Sequence, residues 1–95
     1  MHIITRKRIS EARRKHADCA TALDGWYTIV SKNKFDNFAA LKRTFNTVDK
    51  VNNLYVFDIG GNKLRLIASI HFNRQKLYVR YILTHKEYDK GKWRN

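Results

Sequence analysis

The stretch that decides the fold is VFDIGGNKLRLIASIHFNRQKLYVRYILTHKEYDK, residues 56–90. It contains two runs, residues 63–72 and 76–83, in which apolar and polar side chains alternate. Such alternation predicts β-strands, because successive side chains of a strand point to opposite faces of the sheet. Only three residues separate the two runs. The pattern therefore predicts an antiparallel hairpin.

Charge is distributed unevenly along this stretch. From Ile59 to Lys86 there is no acidic residue, whereas there are several cations. These cations are Lys63, Arg65, Arg74, Lys76, Arg80 and Lys86. A polar segment with titratable groups, THKEYDK at residues 84–90, follows the second run directly. A cationic hairpin that ends in titratable groups predicts a phosphate-binding surface with chemistry at its rim.

Length and composition indicate a single small domain. The 95 residues suffice for one hydrophobic core, so we assign residues 1–95 to one domain. Apolar residues make up 43% and charged residues 29% of the chain, which favours a folded domain over a disordered segment. No apolar run approaches the length of a membrane span, and the N-terminus lacks the apolar core of a secretory signal. We therefore expect a cytoplasmic protein with no membrane association.

The cysteine and histidine content gives no indication of a disulfide or a metal site. Cys19 is the only cysteine, and its sequence neighbours include no cation, which favours a small buried side chain over a nucleophile. The four histidines do not have the spacing of zinc ligands. We therefore expect no metal and no cofactor.

The net charge is the strongest functional signal in the composition. Twenty Lys and Arg against eight Asp and Glu give +12 at pH 7. Such an excess favours a polyanionic partner, and nucleic acid in particular. A membrane surface is less favoured, because the cations are spread over the chain rather than gathered on one amphipathic helix.

The residues before the stretch predict one strand and two or three helices. The β-branched run at residues 2–5 predicts a strand, and a short charged helix should begin near Thr5 or Ser10. Asp18 is the predicted N-cap of a second helix, and Asp36 or Asn37 that of a third. The apolar side chains at helical spacing in the second helix are Leu23, Trp26, Tyr27 and Val30, which we expect in the core.

A loop, a strand and a tight turn connect the helices to the hairpin. Residues 46–53 are polar and predict a loop, and residues 54–59 predict a strand. Gly60, Gly61 and Asn62 are the strongest turn signal in the chain and join this strand to the next. The predicted fold is α+β, with an N-terminal strand and two or three helices packed on an antiparallel three-strand meander.

Alternation assigns the side chains of the hairpin to two faces. The face predicted to pack against the helices contains Leu64, Leu66, Ala68, Ile70, Phe72, Leu77, Val79, Tyr81 and Leu83. The other face is then predicted to be open, and it includes Arg65, Tyr78 and Arg80. Cations and a phenol on an open sheet face can bind phosphates and stack on bases, as recognition of single-stranded RNA requires.

Two segments, residues 56–66 and 81–90, resemble the HigB toxins of the RelE superfamily. The most specific matching elements are Gly61-Asn62-Lys63, Arg65-Leu66, Thr84-His85 and Glu87-Tyr88-Asp89-Lys90. The chain departs from the family pattern at Asp58, where Asn is expected, at Gly60, which replaces a longer side chain, and at Leu64, which replaces an aromatic residue. None of these departures removes a cationic or titratable residue of the motif.

The resemblance implies a small RelE-like domain that acts as the toxin of a bacterial toxin–antitoxin pair. It implies a metal-independent endoribonuclease that cleaves mRNA on the translating ribosome and so inhibits translation. The implied partners are mRNA on the ribosome and a helix-turn-helix antitoxin of the HigA type.

Metal-free RNA cleavage requires a base for the ribose 2′-OH, cations that stabilise the charged phosphorane, and an acid for the leaving 5′-oxygen. His85 belongs to the residue type that titrates nearest neutrality and is the first candidate for proton transfer. Arg65 and Arg80 are permanently charged and can stabilise the transition state, and Tyr88 can stack on a base or donate a proton. The predicted RNA- and phosphate-binding residues are Lys63, Tyr78, Lys86 and Lys90.

Each assignment has a structural alternative. His85 is alternatively a capping or hydrogen-bonded residue, Tyr88 a core residue, and Arg80 an ion-pair partner of Glu87 or Asp89. A non-catalytic basic module that binds RNA or ribosomes would require the same net charge without the groups around His85. A subunit of a larger assembly would use the basic face for docking alone.

Overall fold

The computed structural model describes residues 1–4, 6–61 and 63–94 of the chain. The strands are β1 His2–Ile4, β2 Asp49–Val51, β3 Leu54–Ile59, β4 Leu64–His71 and β5 Lys76–Thr84. The helices are α1 Arg6–Lys15, α2 Ala20–Lys32, α3 Phe38–Thr44 and α4 His85–Asp89. Short 3-10 turns lie at Ala17–Cys19, Phe72–Arg74 and Lys92–Arg94. The predictions that concern Thr5 and Asn62 lie outside the described residues.

The strands form one sheet in the order β1-β5-β4-β3-β2. Strands β3, β4 and β5 form the predicted antiparallel meander, including the hairpin between β4 and β5. Two further pairings extend it, because β1 runs parallel to β5 and β2 runs antiparallel to β3. The α+β class, the N-terminal strand and the three-strand meander are therefore confirmed, and β2 is an additional strand that the prediction did not include.

Strand β2 lies within residues 46–53, for which a loop was predicted. The strand has only three residues, and two of them, Asp49 and Lys50, are charged, so no apolar alternation marks it. Asn52 adopts a φ of 56° and turns the chain back so that Val51 pairs with Leu54. Pairing with β3 therefore creates this strand in spite of its polar sequence.

The helix caps agree with the prediction at α3 and differ at α2. The Asn37 side chain accepts a hydrogen bond from the Ala40 backbone N–H at 2.8 Å, which confirms it as the N-cap of α3. The prediction of Asp18 as the N-cap of α2 is wrong, because Cys19 occupies that position. The Asp18 carboxylate instead pairs with Nζ of Lys63 at 3.1 Å, so it connects the entry of α2 to the start of β4.

Helices α1, α2 and α3 cover one face of the sheet and enclose the main hydrophobic core. Leu23, Trp26 and Val30 of α2 are buried there, as predicted, while Tyr27 is only half-buried. Trp26 meets Phe57 of β3 edge-on, with 5.4 Å between the ring centroids. Burial of side chains of this size contributes about 1.5–3 kcal/mol each, so this layer dominates the stability of the domain.

A β-bulge interrupts the pairing of β4 with β5. Ile67 lies opposite Tyr81, and its neighbour Ala68 lies opposite Val79. Arg80 is therefore an extra residue of β5 with no partner residue on β4.

The bulge reverses the alternation of β5 beyond Arg80. Tyr81 and Leu83 were predicted in the helix-side core, but they lie on the opposite face of the sheet. Ile82, predicted to face outward, packs instead against the helix-side core. The face prediction is wrong for this half of β5, because strict alternation assumes a strand without an inserted residue.

A second, smaller hydrophobic cluster covers part of the face opposite the helices. Its buried members are Val56, Ile67 and Trp93, and the side chains packed against them are Val51, Leu54, Tyr81, Leu83 and Tyr88. Because Trp93 follows α4, the C-terminal segment folds back over the sheet and is anchored there. The prediction of an open sheet face is therefore wrong for this end of β4 and β5.

Gly60 and Gly61 provide a test of the turn between β3 and β4. Both have positive φ, 65° and 71°, a conformation that costs other residues about 1–2 kcal/mol. A Cβ on Gly60 would also lie 3.3 Å from Sγ of the buried Cys19, whereas a Cβ on Gly61 would meet nothing within 4 Å. We expect Gly61→Ala to lower the free energy of unfolding in urea by about 1 kcal/mol and Gly60→Ala by about 2 kcal/mol.

The excess cost of Gly60→Ala should come from the Cys19 sulfur. In a Cys19→Ala background, the two glycine substitutions should therefore have the same cost. If Gly60→Ala and Gly61→Ala already cost the same in the unmodified chain, the contact with Cys19 does not constrain the turn.

Candidate active site

Arg65 of β4 lies at the centre of the candidate site. Its Nε is 3.1 Å from Oδ1 of Asp58, which lies directly opposite it on β3. The Arg65 side chain is 11% exposed and the Asp58 side chain 28%. The prediction that Arg65 is exposed on an open face is therefore wrong, because the C-terminal segment shields it from solvent.

Tyr88 and Trp93 lie between Arg65 and solvent. The guanidinium carbon of Arg65 is 5.5 Å from the centroid of the Tyr88 ring. The rings of Tyr88 and Trp93 stack with their centroids 5.0 Å apart and their planes inclined by 16°. The Trp93 indole N–H also donates a hydrogen bond to the Tyr88 carbonyl oxygen at 2.9 Å. Trp93 therefore holds both the backbone and the ring of Tyr88 in place.

Helix α4 starts at the end of β5 through a capping box. The Thr84 hydroxyl oxygen accepts a hydrogen bond from the Glu87 N–H at 3.2 Å, and the Glu87 carboxylate accepts one from the Thr84 N–H at 3.0 Å. The hydrogen bond from the Thr84 backbone is the main reason why the pKa of Glu87 is lower than usual. The capping alternative for His85 is therefore wrong, since Thr84 is the N-cap.

His85 is an accessible titratable group at the start of α4. Its Nδ1 lies 3.1 Å from Oδ2 of Asp89, one helical turn further on. Both side chains are more than half exposed, so a substrate can reach the imidazole. Tyr88 is three residues from His85, a spacing that makes side chains neighbours on a helix. The structure thus places Arg65 against the Tyr88 ring, and His85 lies three residues before Tyr88 at the start of the same helix.

Arg80, the fourth predicted catalytic residue, does not belong to this group. It is the exposed extra residue of the bulge. Its alternative assignment as a partner of Glu87 or Asp89 is wrong, because Glu87 caps α4 and Asp89 pairs with His85. Arg80 is therefore a surface cation available to a polyanion.

The predicted RNA-binding residues are dispersed. Lys63 is engaged with Asp18, and Tyr78 contacts the ring of His71 edge-on at 5.5 Å. Tyr78 shares the sheet face of Arg65, but it is displaced by four strand positions, or ~13 Å. Lys86 and Lys90 are exposed on α4 and directly after it, so they flank the site.

Two residues of the site, Asp58 and Trp93, were not predicted to belong to it. The register of the hairpin between β3 and β4 could have identified Asp58. Ile59 pairs with Leu64 across the glycine turn, so Asp58 lies opposite Arg65. Trp93 lies beyond the motif, and only the folding back of the C-terminal segment brings it to Tyr88.

The arrangement offers a fixed positive charge, an accessible imidazole and a phenol within one surface region. Among the residues that the structure describes, no group of three or more His, Cys, Asp or Glu side chains is arranged to hold a metal ion. In the same part of the chain, no helix is long and apolar enough to cross a membrane.

Comparison with known proteins identifies a family and several relatives. A family model described as HigB toxin, the RelE-like toxic component of a toxin–antitoxin system, matches residues 19–91. The chain is 39% identical over 92 residues to the mRNA interferase toxin HigB of Escherichia coli K12, a match covering 94% of this chain and 88% of that protein. It is also 39% identical over 92 residues to the mRNA interferase HigB of Shigella flexneri, with the same coverage. The mRNA interferase HigB of Escherichia coli O6:H1 is 37% identical over 93 residues, which cover 95% of this chain and 90% of the relative.

The pair of Arg65 and Asp58 should contribute to stability because it is shielded from solvent. We expect Asp58→Ala to lower the free energy of unfolding in urea by about 1–2 kcal/mol, since it removes the carboxylate from a guanidinium that is largely shielded from solvent. Asp58→Asn retains a hydrogen-bond acceptor and should cost less.

Asp24→Ala is the matched control, because Asp24 pairs with Arg13 at 2.8 Å while about half of each side chain is exposed. An exposed pair of this kind should contribute less than about 0.5 kcal/mol. Equal losses for Asp58→Ala and Asp24→Ala would show that shielding of the Arg65 pair adds nothing to stability.

Proposed function

The chain belongs to the HigB family of RelE-like toxins, the toxic components of toxin–antitoxin systems, and on that premise we propose that it cleaves mRNA on the translating ribosome. The observation that supports this proposal best is the group formed by Arg65, Tyr88 and His85 at the end of the hairpin. These side chains supply the types of chemistry that cleavage through a cyclic phosphate requires. The net charge of +12 also attracts a polyanionic substrate over long distances.

Arg65 is proposed to stabilise the negative charge that develops on the phosphorane. A cation contributes most when it is already oriented and partly removed from water, since no reorganisation is then needed during the reaction. Asp58 and the ring of Tyr88 provide that orientation, because both contact the guanidinium. Asp58 also reduces the net charge of the site, so its role is to position Arg65 rather than to stabilise the phosphorane.

His85 is proposed to transfer the proton. The contact of Nδ1 with Asp89 orients the imidazole and leaves Nε2 as the nitrogen directed to a substrate. In the first step, Nε2 would remove the proton of the ribose 2′-OH, and the oxygen would attack the adjacent phosphorus. Protonation of the leaving 5′-oxygen then completes the cleavage, and the Tyr88 hydroxyl is the nearest candidate for this acid.

The ribosome is proposed to supply what the isolated site lacks. His85 lies on an accessible surface rather than in a deep cleft, since its side chain is 54% exposed. Rate acceleration requires the attacking oxygen, the phosphorus and the leaving oxygen to be aligned. An mRNA held in the decoding site has this alignment imposed on it, so naked RNA should be a poor substrate.

Removal of either proposed catalytic group should abolish most of the cleavage. Arg65→Gln in an Asp58→Asn background should lower single-turnover cleavage of ribosome-bound mRNA by roughly a hundredfold or more relative to Asp58→Asn alone. The Asp58→Asn background removes the Asp58 carboxylate, so the loss of Arg65 does not leave a shielded negative charge without its partner. His85→Ala should lower cleavage by roughly 10²–10⁴-fold.

Lys34→Gln is the control, because Lys34 is a largely exposed cation whose closest carboxylate is Asp36 at 3.7 Å. Thermal melting should show that each variant is folded. If the folded Arg65 and His85 variants cleave at the wild-type rate, the surface binds RNA without catalysing its cleavage, and the alternative of a basic binding module is correct.

The proposed antitoxin is a helix-turn-helix protein of the HigA type that presents acidic side chains to this basic surface. Complementary charges attract two proteins over long distances and so raise their association rate, and dissolved salt screens this attraction. The association rate of the toxin with its antitoxin, measured by stopped-flow fluorescence, should fall by roughly tenfold or more between low and high ionic strength. A rate that does not change with salt would contradict electrostatic attraction as the basis of recognition.

A further inference from the structure

A cavity lies beside the candidate active site, between the end of β5 and the C-terminal segment. It is lined by Tyr81, Leu83, Glu87, Lys90, Lys92 and Trp93, and its volume is about 270 Å³. None of the roles assigned above uses this cavity. It exists because the bulge at Arg80 directs Tyr81 and Leu83 to this face and because Trp93 returns to the sheet.

The walls of the cavity combine three kinds of chemistry. Tyr81, Leu83 and Trp93 supply aromatic and apolar surface. Lys90 and Lys92 are exposed at its margin and supply positive charge. Glu87 supplies the carboxylate of the lining. A ligand that fits all three has a flat apolar body, an anionic group next to it, and a hydrogen-bond donor.

The cavity adjoins the proposed catalytic groups directly. Leu83 lies opposite Arg65 in the pairing of β4 with β5. Trp93 stacks on Tyr88, and Glu87 immediately precedes Tyr88 in α4. A base in this cavity would therefore belong to a nucleotide that lies one or two positions along the RNA from a phosphate bound at Arg65.

We propose that this cavity binds one base of the RNA strand next to the cleaved phosphate, and that Glu87 selects bases that carry an exocyclic amino group. The inference rests on the proposed function, since it assigns a specificity subsite to the same reaction. The Tyr81 ring provides the surface for stacking, because one face of Trp93 is already occupied by Tyr88. Lys90 and Lys92 bind the flanking phosphates.

The selectivity follows from the hydrogen-bonding capacity of Glu87. An ionised carboxylate only accepts hydrogen bonds, and its two oxygens offer about four acceptor sites, more than the backbone N–H and the side chain of Thr84 use. Adenine, cytosine and guanine present an exocyclic amino donor on their base-pairing edges, whereas uracil presents only its N3–H, flanked on both sides by carbonyl oxygens that a carboxylate repels. The lowered pKa of Glu87 keeps this acceptor ionised at neutral pH.

Glu87→Gln is the decisive variant. Glutamine can replace glutamate in a capping box, so the fold should be retained, while its amide adds a donor that suits the carbonyl oxygens of uracil. The assay uses ribosomes programmed with mRNAs in which each position around the cleavage site carries each of the four bases. At one position, the wild-type protein should prefer amino-bearing bases over uracil by roughly tenfold in kcat/KM, and Glu87→Gln should abolish or reverse that preference.

Glu11→Gln is the matched control, because Glu11 is the other glutamate of the chain and lies on α1, outside the cavity. It should leave the base preference unchanged. If Glu87→Gln also retains the wild-type preference at every position while it cleaves normally, the inference is overturned and the proposed function still stands.

A binding measurement separates the cavity from catalysis. In ¹H–¹⁵N NMR spectra, AMP should shift the Trp93 indole signal and the Lys90 and Lys92 amide signals more than UMP does. Such shifts without any cleavage on ribosomes would support a nucleotide site and refute the proposed function. If neither nucleotide shifts these signals and Tyr81→Leu weakens only binding of the antitoxin, the cavity is a protein-docking surface and the inference is wrong.

Discussion

The single extra residue in β5, Arg80, is the constraint on which the C-terminal half of the structure depends. In an unbroken strand, Tyr81 and Leu83 would lie on the same face as Val79, beneath the helices. The bulge moves them to the opposite face, where they form the second hydrophobic cluster with Ile67. One strand thereby contributes to hydrophobic clusters on both sides of the sheet. The reversal thereby adds Tyr81 and Leu83 to the apolar surface on which the C-terminal segment packs.

The position of the candidate active site follows from that packing. Trp93 is buried in the second cluster, and its stacking and hydrogen bond fix Tyr88. Tyr88 in turn lies against Arg65, whose guanidinium is also held by Asp58. An arginine on a strand would otherwise sample many rotamers in water. Here it is oriented before any substrate arrives, which is the condition under which a cation stabilises a transition state most effectively.

The ion pairs of the described residues divide the cations of this chain into exposed ones and one that is shielded from solvent. In the described part of the chain, the pairs of Asp18, Asp24, Asp36 and Asp89 are largely exposed, and such pairs contribute little to stability. The pair of Asp58 with Arg65 is the shielded one in this set. The exposed cations suit long-range attraction of a polyanion, whereas Arg65 is the cation that we propose to act at short range on a bound phosphate. Asp58 occupies a position where Asn is expected from the family resemblance. In this chain a negatively charged carboxylate therefore orients Arg65.

The sequence by itself determined the α+β class, the β3–β4–β5 meander, the Asn37 cap of α3 and the net charge of +12, because these depend on local periodicity, short turns and composition. It also indicated Arg65, Tyr88 and His85 as candidate catalytic residues through the motif that contains them. Only the tertiary structure decided that β1 and β2 join the sheet, that β5 reverses its faces at Arg80, and that Asp58 and Trp93 complete the site. A bulge and a returning chain end leave no periodic trace in a sequence, since they are stabilised by contacts between residues that are distant along the chain.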